Sequence, residues 1–269
     1  MLEEYFHYLG VRTSGRGARL LGYAHEAAAL QVRHRRCRAA WQSHIQATHK
    51  ALLTAAHALP NAGGTALIIG GGNVHDLPVR QLLNCFEQIV LLDIAFAYST
   101  RRLAARWPGR VVCCLHDVTS VVDWLAKHRK LPPEILFSTP ELPAFSPHPR
   151  WVASVNCLSQ LPLLPIDWLY DHDVNQAELE WFGQKLIQAH LNWLRAWQTP
   201  VCLITEIEDQ RFNRHNVVEE VIDYRPLLRE FLQPARRVAG WTWRLKPPGE
   251  LSDGGWENRS VEAYSIDQQ

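Results

Sequence analysis

The sequence predicts an α/β chain: a doubly wound, mostly parallel seven-stranded sheet with a terminal antiparallel hairpin, preceded by an N-terminal helical extension. Three observations carry that reading. Five short apolar, often β-branched runs recur between Ala66 and Thr205, separated by segments long enough for crossover helices, as in buried parallel strands. The stretch from Tyr23 to Leu59 holds neither Gly nor Pro and is rich in Ala, Leu, Gln and Arg, which favours helix. Near the C-terminus two β-prone runs flank a Pro- and Gly-rich loop, the pattern of a hairpin.

In chain order, the helical stretch carries Trp41, His44, Ile45, Thr48 and Leu52 on one side, which should face the body of the protein. One helix of that length would outreach the domain, so a break is expected near Arg33–Arg36. Residues 60–64 close the helical region with turn formers, and the chain divides there into a helical cap (1–60) and a sheet-bearing domain (61–269). The five strands are Ala66–Ile69, Ile89–Leu92, Val111–Leu115, Trp151–Val155 and Val201–Thr205. Asp171–Trp197 reads as a helix with Leu179, Phe182, Leu186, His190, Trp193 and Trp197 on its buried side and His172 and Asp173 as N-terminal caps. A short helix over Tyr224–Leu232 starts near a proline, and Trp241–Leu245 and Ser260–Ser265 form the closing hairpin.

Composition narrows the partners. Lys plus Arg (28) nearly balance Asp plus Glu (27), so no overall field favours nucleic acid or an anionic membrane, and the Arg33–Arg38 run reads as a solvated helix side. No stretch of about 18 apolar residues and no secretory leader pattern occurs, and six cysteines without a CxxC spacing read as reduced thiols. A cytoplasmic protein with a small-molecule substrate is expected, with no nucleic acid and no membrane. His, Cys, Asp and Glu show no metal-ligand spacing, and oligomeric state is not legible. The eleven tryptophans read mainly as packing residues.

Function is sought at the carboxyl ends of the strands, where open α/β sheets bind ligands. The first run ends in Gly70-Gly71-Gly72-Asn73, a loop that lets backbone approach a ligand closely. It keeps two glycines of the dinucleotide pattern but places His75 where the third would stand. Asp93 ends the second strand, where a carboxylate either accepts both ribose hydroxyls of an adenosine or caps a helix. Asp117 closes the third strand, as an adenine contact or a plain surface carboxylate.

On these residues the chain resembles the class I S-adenosylmethionine-dependent methyltransferases, a Rossmann-like family. Ala66-Leu-Ile-Ile-Gly-Gly-Gly72 looks like the first motif, Val90-Leu-Leu-Asp93 the second, Leu115-His-Asp117 the third, and Ala153–Gln160 the segment after the fourth strand. The resemblance implies S-adenosyl-L-methionine as cofactor: Gly70, Gly71 and Gly72 under its methionine part, Asp93 and Ile94 at the ribose, Asp117 and Val118 at the adenine, and Asn156 at the amino acid portion. Asp76 would contact the ammonium or cap the next helix. A nicotinamide cofactor is the rival occupant, disfavoured by the missing third glycine and the absence of a hydride-transfer pair such as Tyr-x-x-x-Lys.

Methyl transfer needs mainly positioning, plus a base where the acceptor keeps its proton. Asn156, His44 and Glu206 are the catalytic candidates, and Ser159 and Gln160 the substrate contacts. Each has a structural alternative: core histidine for His44, solvated strand-end carboxylate for Glu206, turn and cap chemistry for Ser159 and Gln160. A methyltransferase with an unidentified small-molecule acceptor is the leading expectation. A non-catalytic sensor or effector with the same pocket, and an aminopropyl-type transferase on the same fold, are the alternatives.

Overall fold

The computed structural model describes residues 2–60, 63–137 and 148–266. Residues 61 and 62 of the expected interdomain turn lie outside this set. Four helices come first, α1 (Leu2–Leu9), α2 (Arg16–Leu20), α3 (Tyr23–Arg36) and α4 (Arg38–His57), with a two-residue strand β1 (Arg12–Thr13) between the first two. The expected break falls at Cys37 (φ −90°, ψ 11°), whose N–H still bonds to the Arg33 carbonyl at 2.8 Å.

The body follows as β2 (Thr65–Ile69), α5 (Val79–Leu82), β3 (Gln88–Asp93), β4 (Ala95–Phe96), α6 (Tyr98–Ala104), β5 (Val111–Leu115), α7 (Val122–His128) and β6 (Trp151–Val155). After these come α8 (Leu163–Tyr170), α9 (Gln176–Ala196), β7 (Val201–Phe212), β8 (Val218–Asp223), α10 (Arg225–Leu232), β9 (Arg236–Lys246) and β10 (Trp256–Ile266). In space the main sheet runs β5-β3-β2-β6-β7-β10-β9, with β8 on the far part of β7. Pairings from β5 to β7 are parallel, and β10 is antiparallel to both its neighbours.

Period-two alternation explains the layers. Ala66 and Ile68 face a core shared with Leu52, Ala55, Ile89, Leu91 and Trp151, while Leu67 and Ile69 face Val90, Leu92, Leu191 and Leu194 on the other side. The helix side expected to point inward does so: Trp41, His44, Thr48 and Leu52 are buried.

The sheet has eight strands, one more than expected. Val218–Asp223 mixes three acids with Val218, Val221 and Ile222 and is exposed along its whole length, so it carries no buried apolar run for sequence reading to find. The N-cap of α9 is Asn175, whose side chain accepts from the Glu178 N–H at 3.0 Å; the expected caps His172 and Asp173 lie in the turn before it. The β2-to-β3 crossover is also shorter than expected, a single helical turn. Pro78 disfavours helix at Leu77, which is extended (φ −114°, ψ 121°). α4 covers the sheet there instead, packing Ala51, Leu52 and Ala55 in the same cluster as Ile68 and Leu82.

Candidate active site

The glycine loop turns because Gly70 adopts φ +87°, and it packs where no side chain fits. A Cβ on Gly70 would lie 2.5 Å from the Val155 carbonyl oxygen, and one on Gly72 would lie 2.4 Å from the Ala95 oxygen and 2.7 Å from Asp93 Oδ2. Gly72 needs space rather than an unusual backbone. Its N–H donates to Asp93 Oδ2 at 2.7 Å, and the Ala95 N–H donates to Oδ1 at 3.1 Å. Asp93 thus ties the loop to its own strand end and is no helix cap. Burial pushes its carboxyl up to about 6, even though both backbone donors act to lower it.

Above these strand ends lies a cavity of about 310 Å³, with its floor at Gly70, Gly72, Asp93, Asn156 and Cys157. Its far walls are α3, through Tyr23, Glu26, Ala27 and Leu30, and the segment Leu161–Asp167 leading into α8. Asp76, Ile94, Asp117, Val118 and Gln160 also line it, so most of the residues expected to bind the cofactor converge on one space.

Asn156 has a left-handed backbone (φ 49°), which asparagine tolerates, and this swings its side chain off the end of β6. Its Nδ2 donates to Asp76 Oδ2 at 3.0 Å, while its buried Oδ1 has no hydrogen-bond partner. His44 stands behind the pair. The indole N–H of Trp241 donates to His44 Nδ1 at 3.0 Å, and since an indole can only donate, the ring proton sits on Nε2. Nε2 lies 3.2 Å from Asn156 Nδ2 and 3.7 Å from Asp76 Oδ2, and only the carboxylate can accept its proton. Burial raises the Asp76 carboxyl, but His44 and Asn156 outweigh it and hold the group below its ordinary value, so it is ionised. The expected helix cap at Asp76 is not formed; α5 has no side-chain cap.

Four expected site residues stand elsewhere. His44 is fully buried against Trp243 (ring centroids 4.0 Å, 11° apart) and does not line the cavity, and its Nδ1 lone pair is taken by Trp241. Glu206 is neither a base facing the cavity nor a solvated carboxylate: it is buried and bonded to Arg259 at 2.8 Å. Ser159 is buried on that same side, in a crevice with Glu206 and Tyr224. Gly71 packs on Leu91 beneath the loop, a Cβ there meeting Leu91 Cβ at 3.0 Å. Strand ends alone could not show which way each residue faces.

Asp117 spends both oxygens on the start of α7, accepting from the N–H groups of Thr119 (2.9 Å) and Val122 (3.0 Å), while it still borders the cavity. His75 stacks on His34 (3.7 Å, 7°) at the cavity wall. Burial, reinforced by His34, lowers its pKa to about 4, so both rings are neutral near pH 7. Sequence reasoning missed Tyr23, Glu26 and Asn73. Asn73 accepts from Gln31 (2.8 Å) and donates to the Ala27 carbonyl (3.3 Å), tying the loop to α3. Only the position of Asn73 beside the glycines could have drawn attention to it.

Counted along the chain without β1, β4 and β8, the strands stand in the order 3-2-1-4-5-7-6, the seventh reversed. The expected doubly wound sheet with a terminal antiparallel hairpin is present, in the strand arrangement that the resemblance to the class I methyltransferases implies. No protein-family model and no curated protein matches the sequence. Among solved structures the chain is similar to 1,6-didemethyltoxoflavin-N1-methyltransferase of Burkholderia thailandensis (13% identity, 88% of this chain and 86% of that one, TM-score 0.44). It is also similar to magnesium protoporphyrin IX methyltransferase of Synechocystis PCC 6803 (12%, 84% and 80%, TM-score 0.39) and to the M1A22 tRNA methyltransferase of B. subtilis (12%, 80% and 65%, TM-score 0.36). Those proteins differ in what they act on. No helix among the described residues is long and apolar enough to cross a membrane.

Proposed function

We propose that this chain is an S-adenosylmethionine-dependent methyltransferase with a small-molecule acceptor. The charge of the cavity carries the reading. Glu26, Asp76, Asp93, Asp117 and Asp167 line it, and among the described residues no Lys or Arg does. Such a wall suits a ligand bearing a sulfonium and an ammonium, and it repels the pyrophosphate of a dinucleotide. Pyrophosphate sites also use a helix N-terminus after the glycine loop, whereas Val74–Asp76 here is a single tight turn before Pro78. The unpartnered Asn156 Oδ1 fits an ammonium as well.

In this reading Asp93 holds the ribose hydroxyls and Asp117 with Val118 borders the adenine. Asp76 and Asn156 take the amino acid end, with His44 and Trp241 fixing their orientation. Bound there, the cofactor supplies an activated methyl group. The chain's own work is to align an acceptor and exclude water, for which Trp41, Trp243, Leu161 and Leu164 line the cavity. No side-chain base is assigned, since His44 and Glu206 do not face this space. The division into a helical cover (1–60) and a cofactor-binding body (61–269) belongs to the same proposal, as does a cytoplasmic location, supported by six unbridged cysteines.

The test is release of S-adenosylhomocysteine from S-adenosylmethionine over a panel of metabolites. Release in step with a methylated acceptor supports the reading. Binding with no product from any acceptor favours a sensor, and methylthioadenosine as the product favours aminopropyl-type transfer, which from this donor moves the 3-amino-3-carboxypropyl group.

A further inference from the structure

Building on the methyl-donor reading, we infer that the acceptor is an amine-bearing molecule with an apolar body, admitted between α3 and α8. The five carboxylates divide by use. Asp93 and Asp117 are held by backbone N–H groups, and Asp76 by Asn156 with His44 beside it. Glu26 on α3 and Asp167 on α8 are left over. Glu26 has one distant partner, Arg33 at 3.9 Å, and among the described residues no cation pairs with Asp167.

Both helices line the cavity, and they abut: a Cβ on Gly22, at the start of α3, would lie 3.9 Å from Leu164 Cδ2 on α8. Leu30, Leu161, Leu163 and Leu164 lie on the same walls and supply contact for an apolar body. Deeper in, Asn156 is buried with its Oδ1 unpartnered, while its Nδ2 faces Asp76 and His44, so its unmet group is an acceptor. The wall therefore carries carboxylates and, among the described residues, no cation, since no Lys or Arg lines it and burial holds His75 and His116 below their ordinary pKa. The methyl donor bears one net positive charge and leaves this wall acidic. An anionic acceptor would be repelled there, and an ammonium would meet the two carboxylates on these walls.

Exposed pairs of this kind contribute modestly, about three- to tenfold in affinity for the two carboxylates together. The probes are phenethylamine, phenethyl alcohol and hydrocinnamate, which share an apolar body and differ in charge. Each is titrated calorimetrically into protein saturated with S-adenosylhomocysteine, for the wild type and for the Glu26→Gln/Asp167→Asn double variant. The expected result is tightest binding of the amine, weakened about three- to tenfold in the variant, while the alcohol binds both proteins equally and S-adenosylhomocysteine still saturates both. Hydrocinnamate binding as tightly as the amine, an amine affinity unchanged in the variant, or no amine binding at millimolar concentration overturns the inference and leaves the cofactor reading standing. Failure of S-adenosylhomocysteine to bind at all removes the cofactor reading, and this inference with it.

Discussion

Asp93→Asn separates the structural role of this residue from its binding role. In the folded protein burial moves the carboxyl from its ordinary 3.8 to about 6. At 1.36 kcal/mol per pH unit, carrying that charge at pH 7 costs about 3 kcal/mol relative to the unfolded chain. The sign follows from the raised value. The neutral acid is favoured in the fold, so the contribution is fully present below pH 3.8 and is lost as pH rises through about 6. Asparagine removes that cost but turns an NH2 toward one of the two backbone N–H groups, Gly72 or Ala95, and leaves a buried donor unmet at about 1–3 kcal/mol. The two effects oppose each other, so the net change in stability at pH 7 stays within about 2 kcal/mol. The stability-against-pH curve should meanwhile lose its decline between pH 4 and 6.

Binding has no such offset. Hydroxyl bonds to a charged acceptor contribute about 1.5–3 kcal/mol, so S-adenosylhomocysteine should bind the variant about 10- to 100-fold more weakly at pH 7.5. Urea unfolding across pH 4–8 and calorimetric titration measure both effects. Unchanged affinity would refute the ribose role, and an unchanged pH profile would refute burial as the cause of the raised pKa.

Other substitutions address the remaining residues. Gly72→Ala forces a Cβ into the Ala95 carbonyl and the Asp93 carboxylate and should cost about 1–3 kcal/mol, seen as a lower melting temperature together with weakened S-adenosylhomocysteine binding. Arg259→Met leaves Glu206 and Asp209 uncompensated, for a loss of about 3–5 kcal/mol in urea unfolding, while affinity for S-adenosylhomocysteine should not move. His44→Phe keeps the stack on Trp243 but strands the Trp241 N–H, a stability loss of about 1–3 kcal/mol. A drop in turnover of about a hundredfold or more at normal cofactor affinity would restore His44 as a base.

The buried strands were legible because each is a short apolar run. The break between α3 and α4 was legible from length alone. Directions were not. Asp93, Asp117 and Asn156 all end strands and all border the cavity, yet Glu206 also ends a run read as a strand and faces the opposite side, toward Arg259. Sequence reading placed these residues at one end of the sheet, and only the path of the chain beyond each strand decided which face they took. The covering residues Tyr23 and Glu26 were invisible for a related reason: α3 follows a glycine turn whose angle no periodicity encodes. His75 was legible as a departure from the dinucleotide pattern. Its stacking on His34 depends on a helix about 40 residues earlier in the chain.

The central claim is that this acid-lined cavity takes a sulfonium-type cofactor and not a dinucleotide. Calorimetric titration of the wild-type protein at pH 7.5 with S-adenosylmethionine, S-adenosylhomocysteine and NADH tests it most directly. The account expects saturable one-to-one binding of both adenosyl compounds and none of NADH. Binding of NADH with neither adenosyl compound bound would contradict it.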